Sequence, residues 1–237
     1  MTLPNTSSVQ RSVLQSESAA PSAPAILMVS MEPPAAMEDE FNDWYDTEHF
    51  PQRSALPGVQ ACSRWVCLDG WPRWMALYEL ESVRVLQSDA YHAMSGPHAT
   101  PWSKRILPRT IGRTRIVAQQ CRSEPESPST VPFARIARLL VMSVPLLEGV
   151  AGADRAGDSG SLTERRIGAV VYDKLSSRPE LIQLRTFLET TQNKTMVWLI
   201  AAFDAPVNLQ SLINDIGRPA GYGAHAFNLY APYCRGG

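Results

Sequence analysis

The chain has 237 residues, 44% of them hydrophobic, which is ample for a buried core in one large domain or two small ones. Its 22 basic and 23 acidic side chains leave a formal charge of -1, with no block of like charge to follow a phosphate backbone, so nucleic acid is not an expected partner. No apolar run reaches the ~18 residues that span a bilayer, and residues 1–24 lack the apolar stretch of a secretory signal; a cytoplasmic protein with no membrane partner is the expectation.

Residues 1–24, rich in Ser, Pro, Ala and Gln, read as a disordered tail. Ala25 to Met31 is an apolar run suited to a strand buried on both faces, closed by Pro33 and Pro34. Residues 36–55 bring Met37, Phe41, Trp44, Tyr45 and Glu48 near one helical face, with acidic residues crowding the first turn where the helix dipole favours them. Leu56, Pro57 and Gly58 end that helix. Val59 to Leu68 and Arg73 to Leu80 flank Asp69-Gly70-Trp71-Pro72 and predict an antiparallel hairpin. Residues 82–95 read as a second helix capped by Ser82, and Thr114 to Gln120 as a last strand. The half formed by residues 25–121 is therefore β-α-β-β-α-β.

Residues 122–136, with proline-rich Arg122 to Pro132, read as a linker. In residues 137–237 the same order returns: strand Arg138 to Leu146, helix Leu162 to Ser176, a hairpin of Leu181 to Thr190 and Lys194 to Phe203 around Gln192 and Asn193, helix Val207 to Ile216, and strand Ala224 to Ala231. The glycine-rich stretch from Glu148 to Ser161 reads as an exposed loop and residues 217–223 as a turn. The repeat lies in element order rather than in letters. Each half matches the ferredoxin-like split βαβ pattern, a four-stranded antiparallel sheet with two helices on one face. Runs such as Met196 to Phe203 are apolar at most positions, so both sheet faces need burial. The expected fold class is α+β, two tandem ferredoxin-like halves with their open faces packed together. Such a chain completes its own pseudo-dimer and is expected to be a monomer or a homodimer.

The four cysteines have no metal-ligand spacing, and no metal is expected. Cys62 and Cys67, five apart in one strand, should face opposite sides. Chemistry concentrates in Glu38 to Gly58. On a helical wheel Asn42, Asp46, His49 and Arg53 form one stripe at i, i+4, i+7 and i+11. Asp46 is placed to orient the His49 ring, leaving its other nitrogen for proton transfer, and Arg53 to fix an anionic or enolate oxygen. Trp44 and Tyr45 would wall the site. Pro51 should kink or end the helix just after His49. A solvated row of ion pairs is the plain alternative for the same residues. Trp65 and Tyr78 are read as core or pocket wall, His92 as surface, core edge or site, and Trp102 as a loop aromatic that closes a pocket or packs over a strand end.

The run FNDWYDTEHFPQRSALPGVQACSRW, followed by WMALYEL, resembles the EthD-like branch of the dimeric α+β barrel superfamily, in which a helix with a W-Y-x-x-H-x-P run precedes a Pro-Gly turn and a strand. The resemblance implies an intramolecular, pseudo-dimeric α+β barrel with a pocket between sheet and helices for small, often aromatic ligands. It carries over Trp44, Tyr45, His49, Pro51 and Arg53, and it suggests one working site, in the first half. In that superfamily the pocket serves cofactor-free lyases, isomerases, dehydratases and monooxygenases, and in some branches haem enzymes. The expected activity is thus proton transfer on a small aromatic or carbonyl-containing substrate without a cofactor. The alternatives are an oxygenase, a haem protein with His49 or His225 as axial ligand, and a ligand-binding protein without catalysis.

Overall fold

Strands apolar on both faces, such as the one from Met196 to Phe203, cannot leave either face in water, and this chain meets that demand by closing eight strands on themselves. The computed structural model describes residues 23–121, 131–146, 160–191, 194–217 and 226–234. Its strands are β1 (Ala25–Glu32), β2 (Val59–Asp69), β3 (Trp74–Leu80), β4 (Ile111–Gln120), β5 (Arg138–Leu146), β6 (Leu181–Thr190), β7 (Thr195–Phe203) and β8 (Ala226–Pro232). They form a closed barrel in the order β1-β3-β2-β8-β5-β7-β6-β4, and every ladder is antiparallel. The first four strands stay together as β4-β1-β3-β2 and the last four as β6-β7-β5-β8. Two ladders join these groups: β2 to β8, from Trp65 opposite Pro232 to Asp69 opposite Leu229, and β4 to β6 at Gln119 with Leu188 and Gln120 with Phe187.

Alternation along the strands sends one set of side chains inward and the other outward. The inward set merges both groups into one cluster, with Ile26, Met28, Trp65, Leu77 and Ile116 against Val141, Phe187, Trp198, Ile200 and Tyr230. Two polar pairs lie within it. Arg185 makes two hydrogen bonds to Glu79 of the other half, at 2.7 and 2.6 Å, and the Trp198 indole donates to Glu189 at 2.9 Å. The outward set supports two further clusters. One lies under the helices α1 (Glu38–Trp44), α2 (Phe50–Ser54), α3 (Asp89–His92) and α4 (Pro101–Ile106). The other lies under α5 (Gly160–Leu175) and α6 (Leu209–Ile216), where Leu175, Leu209, Leu212 and Ile216 meet Leu140, Met142, Val197 and Leu199.

The strands and the order of elements follow the sequence reading, and the differences have local causes. Residues 82–95 are not one helix: a 3-10 turn over Val83–Gln87 stops at Ser88, whose extended backbone (ψ 150°) and side-chain acceptor for the Tyr91 N–H start α3 anew. The segment around Trp102, read as a loop, is the helix α4; Thr100 caps the Ser103 N–H, and Pro101 supplies a first-turn residue with no donor to lose. The end of the linker is ordered as a 3-10 turn, Phe133–Arg135, and Phe133 packs edge-on against Trp65 at 5.2 Å. Cys62 belongs to the outer cluster and Cys67 to the inner one, on opposite faces of β2 as expected. Residues 1–22 of the tail, 122–130 of the linker, 147–159, the turn residues 192–193, residues 218–225 and with them His225 lie outside the described residues. Among the described residues no helix is long and apolar enough to cross a membrane.

One inner cluster drawn from both halves should make unfolding a single event. Urea unfolding followed by tryptophan emission, to which residues 25–121 contribute five of the six indoles, and by far-ultraviolet circular dichroism is expected to give coincident transitions. Separated midpoints would show halves that unfold independently.

Candidate functional site

The first helix holds the site, and its irregularity decides which side chains reach it. Between α1 and α2 the residues Tyr45–His49 form a π turn, closed by the Phe50 N–H bonded to the Tyr45 carbonyl. The helix therefore does not end at Pro51. One wider turn just before the proline carries the chain past the residue that cannot donate, and regular helix resumes to Ser54. The extra residue also sets every later side chain back by about 100° around the axis.

That rotation splits the stripe read from the sequence. Asn42 and Asp46 point toward β2, where the buried Arg64 donates to Asn42 at 2.8 Å and to Asp46 at 2.5 Å. Four aromatic rings surround this guanidinium: Tyr45 at 4.5 Å, Tyr233 at 4.6 Å, Trp74 at 5.3 Å and Phe41 at 5.9 Å. Asp46, expected to orient His49, forms an ion pair with Arg64. His49 turns instead onto its own helix. Its ring lies over Trp44 at 4.4 Å, tilted by 31°, and meets Tyr45 edge-on at 5.2 Å. Trp44 is fixed in turn by a hydrogen bond from its indole to Ser103 of α4 at 3.1 Å.

His49 and Arg53 then face a cavity of about 460 Å³ between the sheet and the helices, a volume in the range of small-ligand sites. Leu27, Val29 and Met31 of β1 form its floor; Tyr78, Tyr91 and Leu107 line it, and Arg113 and Arg115 of β4 complete it. Among the described residues no carboxylate lines it. Arg53 is anchored, donating to Ser95 Oγ at 2.8 Å and to the Met94 carbonyl at 3.1 Å, with its guanidinium 4.8 Å from the Tyr91 ring. Arg113 and Arg115 are exposed on the open side, and Arg115 donates to the Tyr91 hydroxyl at 3.3 Å. Burial, aided by the charges of Arg53 and Arg64, lowers the His49 pKa to about 3, so the imidazole is neutral at physiological pH. Burial likewise raises the phenols of Tyr45 and Tyr78.

Of the residues singled out in the sequence, Trp44, Tyr45, His49, Arg53 and Tyr78 come together. Asp46 pairs with Arg64, and three more do not join them. Trp65 points into the barrel, on the opposite face of β2; His92 is exposed on α3; Trp102 packs over the outer cluster and donates to Glu40 at 3.2 Å. Sequence reading missed Arg64, Arg113 and Arg115. The signal for the last two was the alternation in Ile111–Gln120, where Arg113, Arg115 and Val117 share the face opposite to Ile116 and Ala118.

Haem, implied for some branches, fits this pocket poorly. A histidine, His49, faces it, but the apolar lining is limited to Leu27, Val29, Met31 and Leu107, and the other groups are three arginines and two tyrosines. Under α5 and α6 the described residues are packed aliphatic and aromatic side chains without a histidine. The donor set suits a smaller organic anion better.

No family model and no curated protein sequence matches the chain. Solved structures of the same fold do. An anthrone oxidase-like protein matches at 7% identity over 90% of this chain and 92% of its own, with a TM-score of 0.54. A variant chlorite dismutase from Candidatus Nitrospira defluvii matches at 9% identity over 91% and 93%, with a TM-score of 0.57. A protein named as a monooxygenase, from Fusobacterium nucleatum subsp. nucleatum, matches at 7% identity over 90% and 99%, with a TM-score of 0.50.

Two outcomes test this arrangement. Because His49 is harder to protonate in the fold than in the unfolded chain, the unfolded state takes up the proton first as the pH falls below about 6.5. Relative to His49→Gln, the wild type should hold level stability above that pH and lose up to about 1.4 kcal/mol per pH unit between there and about pH 3, measured by urea melts along a pH series. Arg64→Met removes its hydrogen bonds to Asn42 and Asp46 and is expected to cost about 3–5 kcal/mol in the same assay.

Proposed function

We propose that this chain, which has the fold of the dimeric α+β barrel superfamily, is a small-molecule enzyme of that superfamily, with its two halves being fused ferredoxin-like units and its working site in the first. The observation that carries this reading is a neutral imidazole and three guanidinium groups facing one cavity that no carboxylate among the described residues lines. Such a pocket favours a small carbonyl compound, aromatic in part, that becomes negatively charged as it reacts.

In this reading His49 accepts a proton from carbon next to the carbonyl. The enolate oxygen is met by Arg113 and Arg115, and Arg53, held by Ser95 and the Met94 carbonyl, adds positive charge from the helix side. Burial is the larger cause of the low His49 basicity. An enolate formed beside the ring offsets the charge of the imidazolium and so favours the transfer. Return of the proton at another carbon gives isomerisation, and departure of a β-substituent gives elimination, with no cofactor required for either. A second reading starts from the same carbanion: reaction with O2 and loss of water converts the carbon-hydrogen centre to a carbonyl. The names of the anthrone oxidase-like and monooxygenase neighbours favour it. A site that binds its ligand without turning it over is the third reading.

A screen of aromatic carbonyl acids in D2O, read by mass spectrometry with oxygen uptake followed in parallel, separates these readings. The wild type is expected to exchange or eliminate at the acidic carbon, and His49→Gln to lower that rate by about 10²- to 10⁴-fold. Exchange that survives in His49→Gln removes the histidine from the chemistry, oxygen uptake points to the second reading, and binding without exchange to the third. Purified protein is expected to show no Soret band, and one would overturn the cofactor-free reading.

A further inference from the structure

The two ends of the barrel are not alike. At the end formed by the start of β2 and β5, Phe133 and Ile136 pack over Trp65 and leave a cavity of only about 110 Å³. The other end, where β1 and β5 finish and β4, β7 and β8 begin, keeps a cavity of about 460 Å³. It lies inside the barrel, on the opposite face of the β1–β4 sheet from His49, and shares no lining residue with the His49 pocket.

Its walls are Met28, Ile116, Val141, Met196 and Trp198. Set among them are Ser30, Ser143 and Tyr230, all buried. Ser143 is fully buried, and its hydroxyl has no hydrogen-bond partner, a cost that a bound polar atom would relieve. Tyr230 accepts a hydrogen bond from Asn228 at 3.0 Å. The entrance is built as well. Trp71, 56% exposed, is held by Asn228 donating to its carbonyl at 3.2 Å. Its ring lies where a side chain at Gly112 would be: a Cβ there would fall 1.8 Å from the indole, and Gly112 has φ +59°. Lys194 stands on the rim, and among the described residues no carboxylate lines the cavity.

We propose that this open end of the barrel is a second ligand site, for a small planar aromatic carboxylate bearing a ring hydroxyl. The ring lies between the apolar wall and Trp71, the hydroxyl reaches the Ser143 and Tyr230 level, and the carboxylate meets Lys194. The site is independent of the chemistry assigned to His49.

Titration calorimetry of the full chain with 1-hydroxy-2-naphthoate tests it. Trp71→Ala and Lys194→Met, both at exposed positions, are expected to raise Kd by about 5- to 20-fold each. Ala226→Phe, which fills the entrance, should raise it by about 50-fold or more, and Arg113→Gln and Arg115→Gln should leave it within about twofold. No binding by the wild type at millimolar probe would overturn the proposal. So would binding that depends on Arg113 and Arg115 but not on Trp71 and Lys194, since the probe would then occupy the His49 pocket.

Discussion

Closure of the barrel is the constraint from which the rest of this structure follows. Strands apolar on both faces leave no face for water, and each four-stranded group by itself would expose one of them. Packing the two inner faces together buries Ile26, Trp65, Phe187 and Trp198 in one cluster, and the two joining ladders remove the free edges that such strands would otherwise offer to other chains. With the inside filled, all helices must lie outside, and cavities can form only between helices and sheet or at the barrel's ends.

Within that frame Arg64 organises the first half. It reaches the α1 helix through Asn42 and Asp46 and sits among four aromatic rings. One of those rings, Tyr233, follows β8, and its backbone N–H bonds to the Arg64 carbonyl at 2.9 Å. The last strand of the second half thus braces the helix that carries His49. Because Asn42 and Asp46 are engaged by Arg64, the π turn can rotate His49 and Arg53 away from them and into the cavity.

The strands, their order and the first helix were legible because apolar runs and Pro-Gly punctuation mark them directly in the sequence. The stripe of Asn42, Asp46, His49 and Arg53 was misleading for one reason: a helical wheel assumes about 3.6 residues per turn, and the π turn breaks that count. Nothing in the letters marks such a turn except Pro51, which was read as a kink or an end. Trp65 was assigned to the site because a strand apolar on both faces does not disclose which parity faces the helices. The arginine pair of β4 was readable by alternation, but its meaning depended on β4 lying beside β1, where Val29 pairs with Arg115.

That one chain supplies both four-stranded groups has a consequence for how such a protein can change. A barrel made from two copies must repeat every substitution, so a residue that improves a pocket on one side also appears at its mate, whatever it does there. It also falls apart on dilution, since its two sheets meet by collision. In one chain the encounter is intramolecular and the halves are free to differ. Here the first carries an irregular helix with a histidine and a cationic pocket, and the second keeps two helices packed on aliphatic side chains. Asymmetry of this kind is open to a barrel built from one chain and closed to a symmetric pair.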